Sequence, residues 1–442
     1  MAYLRLRATG VLPGVVVLGL CAMSAHAGII RVNAAAPSGG DGSSWATALN
    51  DLQAALTAAQ PGDEIWVQQG VYKPHPTNRA ISFNLKNGVA LYGGFTGVEE
   101  SLLQRKPALT STLSGEINTA ATSDNTYNVV KALNVNASAI LDGFFITAGQ
   151  ALGGAGFASA YGGGLFLDAS IGTSPTIRGC TFSNNAASFG GGAVYLIGGS
   201  VLFERCFFFG NRISGSSGAG GAIGIGTIAA AELTLVNCVF AQNFTLAAAG
   251  GGALNVNSGA ILNVFSSTFY NNSASSGSVL AGAPAIANFR NCVFNGSGGA
   301  SGYFAPAVSV QHSIVPGGMP GTGNIATAAT FVNAPAANFR LATGSTGIDT
   351  GSNAAAATIA VDFDLNPRVL NGTVDMGAYE FVASTCTGDL NKDGFVDDSD
   401  FVRFAGAYNN LLDRGGDFNT DLLTDDSDFV IFADAYNALI CP

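Results

Sequence analysis

Cys180-Thr181-Phe182-Ser183-Asn184-Asn185 returns as Cys206-Phe207-Phe208-Phe209-Gly210-Asn211 and as Cys238-Val239-Phe240-Ala241-Gln242-Asn243. It returns again as Ser267-Thr268-Phe269-Tyr270-Asn271-Asn272 and Cys292-Val293-Phe294-Asn295, the copies starting 26, 32, 29 and 25 residues apart. Gly143-Phe144-Phe145-Ile146 is an earlier, degenerate copy. A second motif interleaves with these: Gly163-Gly164-Leu165, Gly191-Gly192-Ala193-Val194, Gly220-Gly221-Ala222-Ile223 and Gly251-Gly252-Ala253-Leu254. A period of this size means stacked units, none able to bury its apolar face alone. Each unit alternates like a strand, is rich in β-branched and aromatic residues, and has Gly, Asn and Ser at its corners.

These features predict an all-β chain folded as a right-handed parallel β-helix, one copy per coil, with coils about 4.8 Å apart. In Cys-x-Phe the first and third residues point the same way, so Cys and Phe should form inward ladders. The terminal Asn suits a corner with left-handed backbone, and Gly-Gly suits a close approach of adjacent coils. One cysteine per coil in an apolar column reads as a buried thiol rather than a metal ligand. Stacked Cys180, Cys206 and Cys238 would be near enough for a disulfide, but in-register parallel geometry disfavours it. A leucine-rich horseshoe lacks its consensus, and a propeller lacks Trp-Asp blade signatures. The pairing of F-x-x-N with G-G-A-[I/V/L] resembles the repeats of polymorphic outer-membrane autotransporters, a resemblance that implies fold more than activity.

Both ends of the repeat region carry signatures. Ile30-Arg31-Val32-Asn33 precedes a glycine-rich stretch, and a helix is predicted from Leu49 to Ala59, stopped by Pro61-Gly62. Leu49, Leu52 and Leu56 share a face that would cap the open end of the stack. Glu64-Ile65-Trp66-Val67 reads as the first coil strand. At the far end stand Ile348-Asp349-Thr350-Gly351, Asp364-Leu365-Asn366-Pro367-Arg368 and Asp375-Met376-Gly377-Ala378-Tyr379-Glu380. These segments resemble the choice-of-anchor Q region found on secreted pectin-lyase-like β-helices. The resemblance spans roughly residues 30 to 383.

Beyond residue 383 a twelve-residue pattern occurs twice, 28 residues apart. It places Asp389, Asn391, Asp393, Phe395, Asp397 and Asp400 in register with Asp417, Asn419, Asp421, Leu423, Asp425 and Asp428. Side-chain oxygens fall at positions 1, 3, 5, 9 and 12, and Phe395 and Leu423 at position 7 would offer a backbone carbonyl. Four such carboxylates crowded into each loop would repel strongly without a cation. Two bound Ca²⁺ ions are expected. Each loop is followed by an aromatic helical face, Phe401, Phe404 and Tyr408 in one, Phe429, Phe432 and Tyr436 in the other. Two such faces can pack together. Cys386 and Cys441 bracket the unit, and a disulfide between them would tie its ends. This tail resembles a type I dockerin, whose loops end in Asp. The resemblance implies a cohesin-like or cell-surface protein partner, with specificity around Asp398-Ser399 and Asp426-Ser427.

The chain has 442 residues, a net charge of −11 and only 11% charged residues. From Cys386 onward there are 12 Asp against three Lys or Arg, so nearly all the net charge lies in the tail. With no basic stripe to replace phosphate counterions, nucleic acid is not an expected partner. Residues 1–27 read as an export signal: Arg5 and Arg7, an apolar run from Val11 to Cys21, then Ala25-His26-Ala27. No segment is long enough for a transmembrane helix. The expected organisation is a signal peptide (1–27), a β-helix (28–383) and a tandem calcium-loop domain (384–442), secreted or held at the cell surface.

A catalytic reading finds little to hold. A lyase wants a base with calcium-binding carboxylates, and a glycosidase wants two carboxylates within about 5–9.5 Å. Between 135 and 330 the acids are Asp142, Asp168, Glu204 and Glu232, none in step with another, and the bases Arg178, Arg205, Arg212 and Arg290. Arg178, Arg205 and Arg290 recur before the Cys position and suggest a sparse column. His312 falls at a Cys-equivalent position and is expected inside, packing rather than catalysing. Outward Phe207, Phe209 and Tyr270 are either a sugar-stacking strip or a surface covered by a neighbouring loop, the latter preferred. No catalytic residue is assigned. The expected function is non-catalytic binding of polysaccharide or cell-surface material with docking through the tail. A polysaccharide lyase or glycoside hydrolase in polysaccharide catabolism, and a structural adhesin, are the alternatives.

Overall fold

The computed structural model of the chain describes residues 28–105, 110–119, 121–153, 157–168, 173–226, 231–246, 250–257, 259–296, 302–382, 387–390, 395–408, 416–419 and 423–438. Residues 1–27, and with them the expected export signal, lie outside that set. The body is a parallel β-helix built from a ten-stranded sheet, an eight-stranded sheet, and a seven-stranded sheet joined by a short four-stranded one. Every strand pair in these sheets is parallel and joins successive coils.

Alternation sets the interior. In the ten-stranded sheet Ile30, Ile65, Leu91, Leu141, Ile177, Phe203, Leu235, Val264, Phe289 and Val310 stand in one register column. In the eight-stranded sheet the column is Tyr72, Leu113, Ile146, Phe182, Phe208, Phe240, Phe269 and Phe294. Its five phenylalanines stack at 5.1, 4.5, 5.0 and 5.3 Å between ring centroids. Cys180, Cys206, Cys238 and Cys292 are buried free thiols in the adjoining column. The Cys-x-Phe reading therefore describes the core as it is, and burial, helped at Cys180 by the Asp142 charge, pushes the Cys180 and Cys292 thiols up to about 12.

The terminal Asn of each copy does something other than expected. Asn185, Asn211, Asn243 and Asn272 are buried and chained side chain to side chain, Nδ2 to Oδ1, at 3.1, 2.9 and 2.9 Å. The left-handed backbone belongs to the residue before: Asn184 (φ 55°), Gly210 (φ 62°), Gln242 (φ 56°) and Asn271 (φ 47°). A second left-handed column precedes the Cys position and contains Gly179, Arg205, Asn237, Ser266, Asn291 and His312. His312 is thus a half-exposed corner residue rather than an inward one, and Ser313 takes the inward place, its Oγ accepting the Cys292 amide at 3.0 Å. The second glycine of each Gly-Gly is required by proximity. A Cβ on Gly192 would lie 2.3 Å from the Gly221 carbonyl oxygen, and one on Gly221 2.2 Å from that of Gly252.

The stack begins one strand earlier than expected, at Ile29–Val32, which pairs with Glu64–Gln68. The capping helix is shorter, Leu52–Ala58, because the Asp51 carboxylate accepts the Gln53 amide at 2.9 Å and starts it there. Leu49 stays extended and bridges to Val32. Leu52, Ala55 and Leu56 close the end of the core. Beyond Ser309–Gln311 the stack continues as single parallel bridges, Val293 to Ile314 and Ile314 to Ile325, and residues from Phe331 to Phe381 fold back over the outer face of the eight-stranded sheet. There Phe331, Phe339, Phe363 and Tyr379 cover Phe207, Phe209 and Tyr270, with Phe339 5.0 Å from Tyr270 and 6.1 Å from Phe207. The covered-surface reading holds, and the sugar-stacking strip does not.

In the tail, the helices Asp398–Tyr408 and Asp426–Ala438 pack Phe404 against Phe432 at 4.9 Å. The pairs Phe404–Phe429 and Phe401–Phe432 both measure 6.1 Å, as an internal two-fold requires. Phe404 and Phe432 are buried at the centre, whereas Phe401 and Phe429 are nearly half exposed at its rim.

Candidate functional site

Among the described residues, polar side chains gather in the tail loops, on the outward face of the ten-stranded sheet and in a buried cluster around Arg368. In the tail, Asp389 is nearly buried and Asp400 and Asp428 are fully so. Asp397 accepts the Ser399 amide at 2.8 Å while Asp400 accepts the Asp397 amide at 3.0 Å, a capping box that starts the first helix. Asp425, Ser427 and Asp428 repeat it at 2.9 and 3.0 Å. The Asp428 carboxylate also accepts the Phe418 and Asn419 amides at 2.7 and 3.0 Å, drawing the start of the second loop onto its end. Asp417 and Asp425 lie on that loop with Leu423 beside them, and Phe395 and Asp397 on the first.

Asn391, Asp393, Asp421, Cys386 and Cys441 lie outside the described residues. Among the described residues no group of three or more His, Cys, Asp or Glu converges as a metal cage. What is present, Asp389, Asp397 and Asp400 in one loop and Asp417, Asn419, Asp425 and Asp428 in the other, is an all-oxygen donor set of the kind a hard divalent cation takes. Asp398 and Asp426, expected at a partner surface, receive hydrogen bonds from Tyr436 and Tyr408 of the opposite helix. The reciprocal pairing makes the helices antiparallel, and those bonds push both tyrosine hydroxyls up. Ser399 and Ser427 donate to Asp397 and Asp425 at 2.5 Å.

In the body, the candidate acids are already engaged. Asp142 is buried between Arg105 (2.9 Å) and Arg178 (2.6 Å). Glu204 pairs with Arg205 at 2.6 Å, and Glu232 accepts the Asn263 amide at 3.3 Å. Asp168 ends a strand of the seven-stranded sheet. Arg178 and Arg290 do share a register column, but Glu204, Val236 and Phe265 separate them and Arg205 is in the corner column instead. The three arginines therefore form no column. Sequence offered no route to the Arg105–Asp142 pair, because Arg105 comes from an irregular segment 37 residues away.

The outward face of the ten-stranded sheet has two halves. Near the N-terminus it is closed: Trp66 stacks on Phe95 at 4.7 Å, with Arg31 5.5 Å over Trp66 and Arg105 5.5 Å over Tyr92. Further along it is open. Thr234, Asn263, Asn288 and Ser309 form one half-exposed column and Val236, Phe265, Arg290 and Gln311 the next. Asn288 donates to Asn263 at 3.1 Å, Asn263 to Glu232, and Arg290 to the Ser309 hydroxyl at 3.3 Å.

The C-terminal signatures meet in a buried ion cluster. Arg368 lies 3.0 Å from Glu380 and donates to the carbonyls of Asp375 and Gly377 at 2.8 and 3.0 Å. Asp362 accepts the amides of Asp364, Asn366 and Glu380, and Asp375 those of Asp349 and Phe381. Burial pushes the Asp375 carboxyl up to about 6 and that of Glu380 up to about 8. These residues knit the covering segment together rather than facing a ligand.

The architecture is that of a parallel β-helix, and the family model described as a right-handed β-helix region matches residues 122–294 and, in an overlapping match, 163–333. Among solved structures the chain is similar to pectate lyase Pel9A, at 14% identity and a TM-score of 0.38, over 80% of this chain and 96% of that one. It is also similar to a rhamnogalacturonan lyase, at 15% identity and 0.31 over 65% and 68%. A third is Escherichia coli YbhC, at 15% and 0.31 over 86% and 89%. No curated protein matches the chain. No described helix is long and apolar enough to cross a membrane.

Proposed function

We propose that this is an exported, non-catalytic β-helix protein that binds polysaccharide or cell-surface material and is docked to a cohesin-like or cell-surface protein through a tail holding two Ca²⁺ ions. The observation that carries the binding role is the open half of the ten-stranded sheet. Its amides and hydroxyls repeat at one coil spacing on a flat surface, and the linked Asn288, Asn263 and Glu232 side chains hold one another in place. Sugar hydroxyls both donate and accept, so pre-oriented amides suit them at little ordering cost. The engaged state of Asp142, Glu204 and Glu232 supports binding over bond cleavage, because a general acid or nucleophile needs a carboxyl facing substrate.

Retention of the chain on immobilised polysaccharides tests this. Asn263→Ala with Asn288→Ala should weaken retention by about tenfold, two hydrogen bonds at about 0.5–1.5 kcal/mol each. Because both residues are half exposed, thermal unfolding should stay close to that of the parent. Unchanged retention in the double variant would remove the face as the binding surface.

A further inference from the structure

The covering segment carries its grip on the stack and its charge cluster on one short stretch, residues 375–380. Gly377 donates its amide to the Asn291 carbonyl at 2.8 Å, and Ala378 donates to the Thr268 hydroxyl at 3.0 Å. Both acceptors belong to the stack, where Asn291 also exchanges hydrogen bonds with Ser352 at 2.8 and 3.0 Å. The ends of the same stretch, Asp375 and Glu380, sit in the ion cluster, and Arg368 donates to the Asp375 and Gly377 carbonyls. Asp362, Arg368, Asp375 and Glu380 are each at most 4% exposed. One guanidinium thus faces three carboxyls in a place closed to water, and its Nε and Nη1 have no hydrogen-bond partner. Arg340 is committed elsewhere: Asp364 holds it at 2.7 and 2.8 Å, and it lies 5.1 Å from the Tyr379 ring and 4.8 Å from that of Phe395. Asp364 adds negative charge beside Asp362 and Asp349 does so beside Asp375, while the stack presents the Cys292 thiol toward Arg368.

We propose that the covering segment is a strap released in mild alkali: when Glu380 and Asp375 lose their protons, residues 375–380 let go of the stack and uncover Phe207, Phe209 and Tyr270. The coils themselves stay folded. Burial, with the neighbouring carboxyls, keeps protons on Asp375 up to about pH 6 and on Glu380 up to about pH 8. In the released form these groups meet water and ionise at ordinary carboxylate values, so rising pH favours release. The grip cannot ignore that change, because Gly377 and Ala378 lie between the two titrating residues. The coils can, because their parallel ladders, stacked phenylalanines and asparagine column involve no residue of the strap. Release also frees the strip that Phe339 covers, in which Phe209 and Tyr270 share one outward column with Ala241 between them.

Amide hydrogen exchange of the chain at about pH 6 and about pH 9, each rate divided by that of an unstructured peptide at the same pH, tests the strap. Protection in residues 374–381 should fall by about tenfold to a hundredfold across that interval, while protection in residues 206–210 holds. Glu380→Gln copies the protonated form, so its strap should stay within about threefold of its protection at the lower pH. An equal fall in both segments, no fall in the strap, or an undiminished fall in Glu380→Gln would overturn the proposal. Should that variant fail to fold, residues 206–210 would show it, and the contrast between the two segments of the parent chain then decides.

Discussion

Asn243→Ala should lower the unfolding free energy by about 3–6 kcal/mol. Its Oδ1 accepts both the Asn211 backbone amide (3.0 Å) and the Asn211 side-chain amide (2.9 Å). Its Nδ2 donates to the Phe208 carbonyl (2.8 Å) and to Asn272 (2.9 Å). Alanine would leave two donors and a carbonyl buried without partners, in a corner with no access to water. Asn243→Asp should be comparably damaging, because it keeps the acceptor, loses both donors and buries a charge. Denaturant unfolding followed by far-ultraviolet circular dichroism is the check, with the exposed Asn87→Ala as a control within about 0.5 kcal/mol of the parent. A loss under about 1 kcal/mol would mean that the asparagine column is decoration, and that the Phe stack alone keeps coils in register.

Arg368→Met is the second large effect, expected to cost about 3–5 kcal/mol because it strands buried carboxylates that the guanidinium now balances. Asp362, Asp375 and Glu380 would be left facing one another, with Asp349 close to Asp375. The same cluster sets a pH dependence with a definite sign. Asp375 and Glu380 hold protons more tightly folded, at about 6 and about 8, than in an unfolded chain, where the reference values are 3.8 and 4.5. Their contribution is therefore complete below the unfolded values and is lost as pH rises through the folded ones. Asp41 and Glu99, lowered to about 2, act in the opposite sense but only in acid. Stability should fall between about pH 4 and pH 8, and Glu380→Gln should flatten the upper part of that fall. A profile that rises with pH across this window, or one identical in Glu380→Gln, would show that the cluster is not titrating.

Much of the body was legible because a β-helix writes its interior as columns. Cys180-x-Phe182 and its copies carry the inward alternation directly, and Gly192 and Gly221 mark where coils nearly touch. The terminal asparagines were recognised as corner residues, but the sequence does not distinguish a left-handed backbone at Asn185 from a buried amide ladder one residue later. Arg205 stands one residue before its cysteine whereas Arg178 and Arg290 stand two before theirs, so it takes the corner place, and His312 likewise stands one residue before the inward Ser313. The remaining gaps are long-range. Arg105 with Asp142, and Arg340 with Phe395, are joined only by folding, and neither has a local pattern. The C-terminal signatures were visible as motifs, whereas their meeting in one buried cluster around Arg368 needed coordinates. In the tail, the aromatic helical faces predicted after the two loops are the ones that pack, Phe404 against Phe432, because a period of about 3.6 residues shows in the sequence.

Turnover is the measurement that bears most directly on a binding role without catalysis. The chain from Gly28 onward, with calcium, would be incubated with a panel of neutral and acidic polysaccharides while reducing ends and unsaturated products are followed alongside retention. The account predicts that at least one polysaccharide is retained and that none yields product above the protein-free rate. Sustained product release from any of them, abolished by a substitution on the ten-stranded sheet, would contradict it.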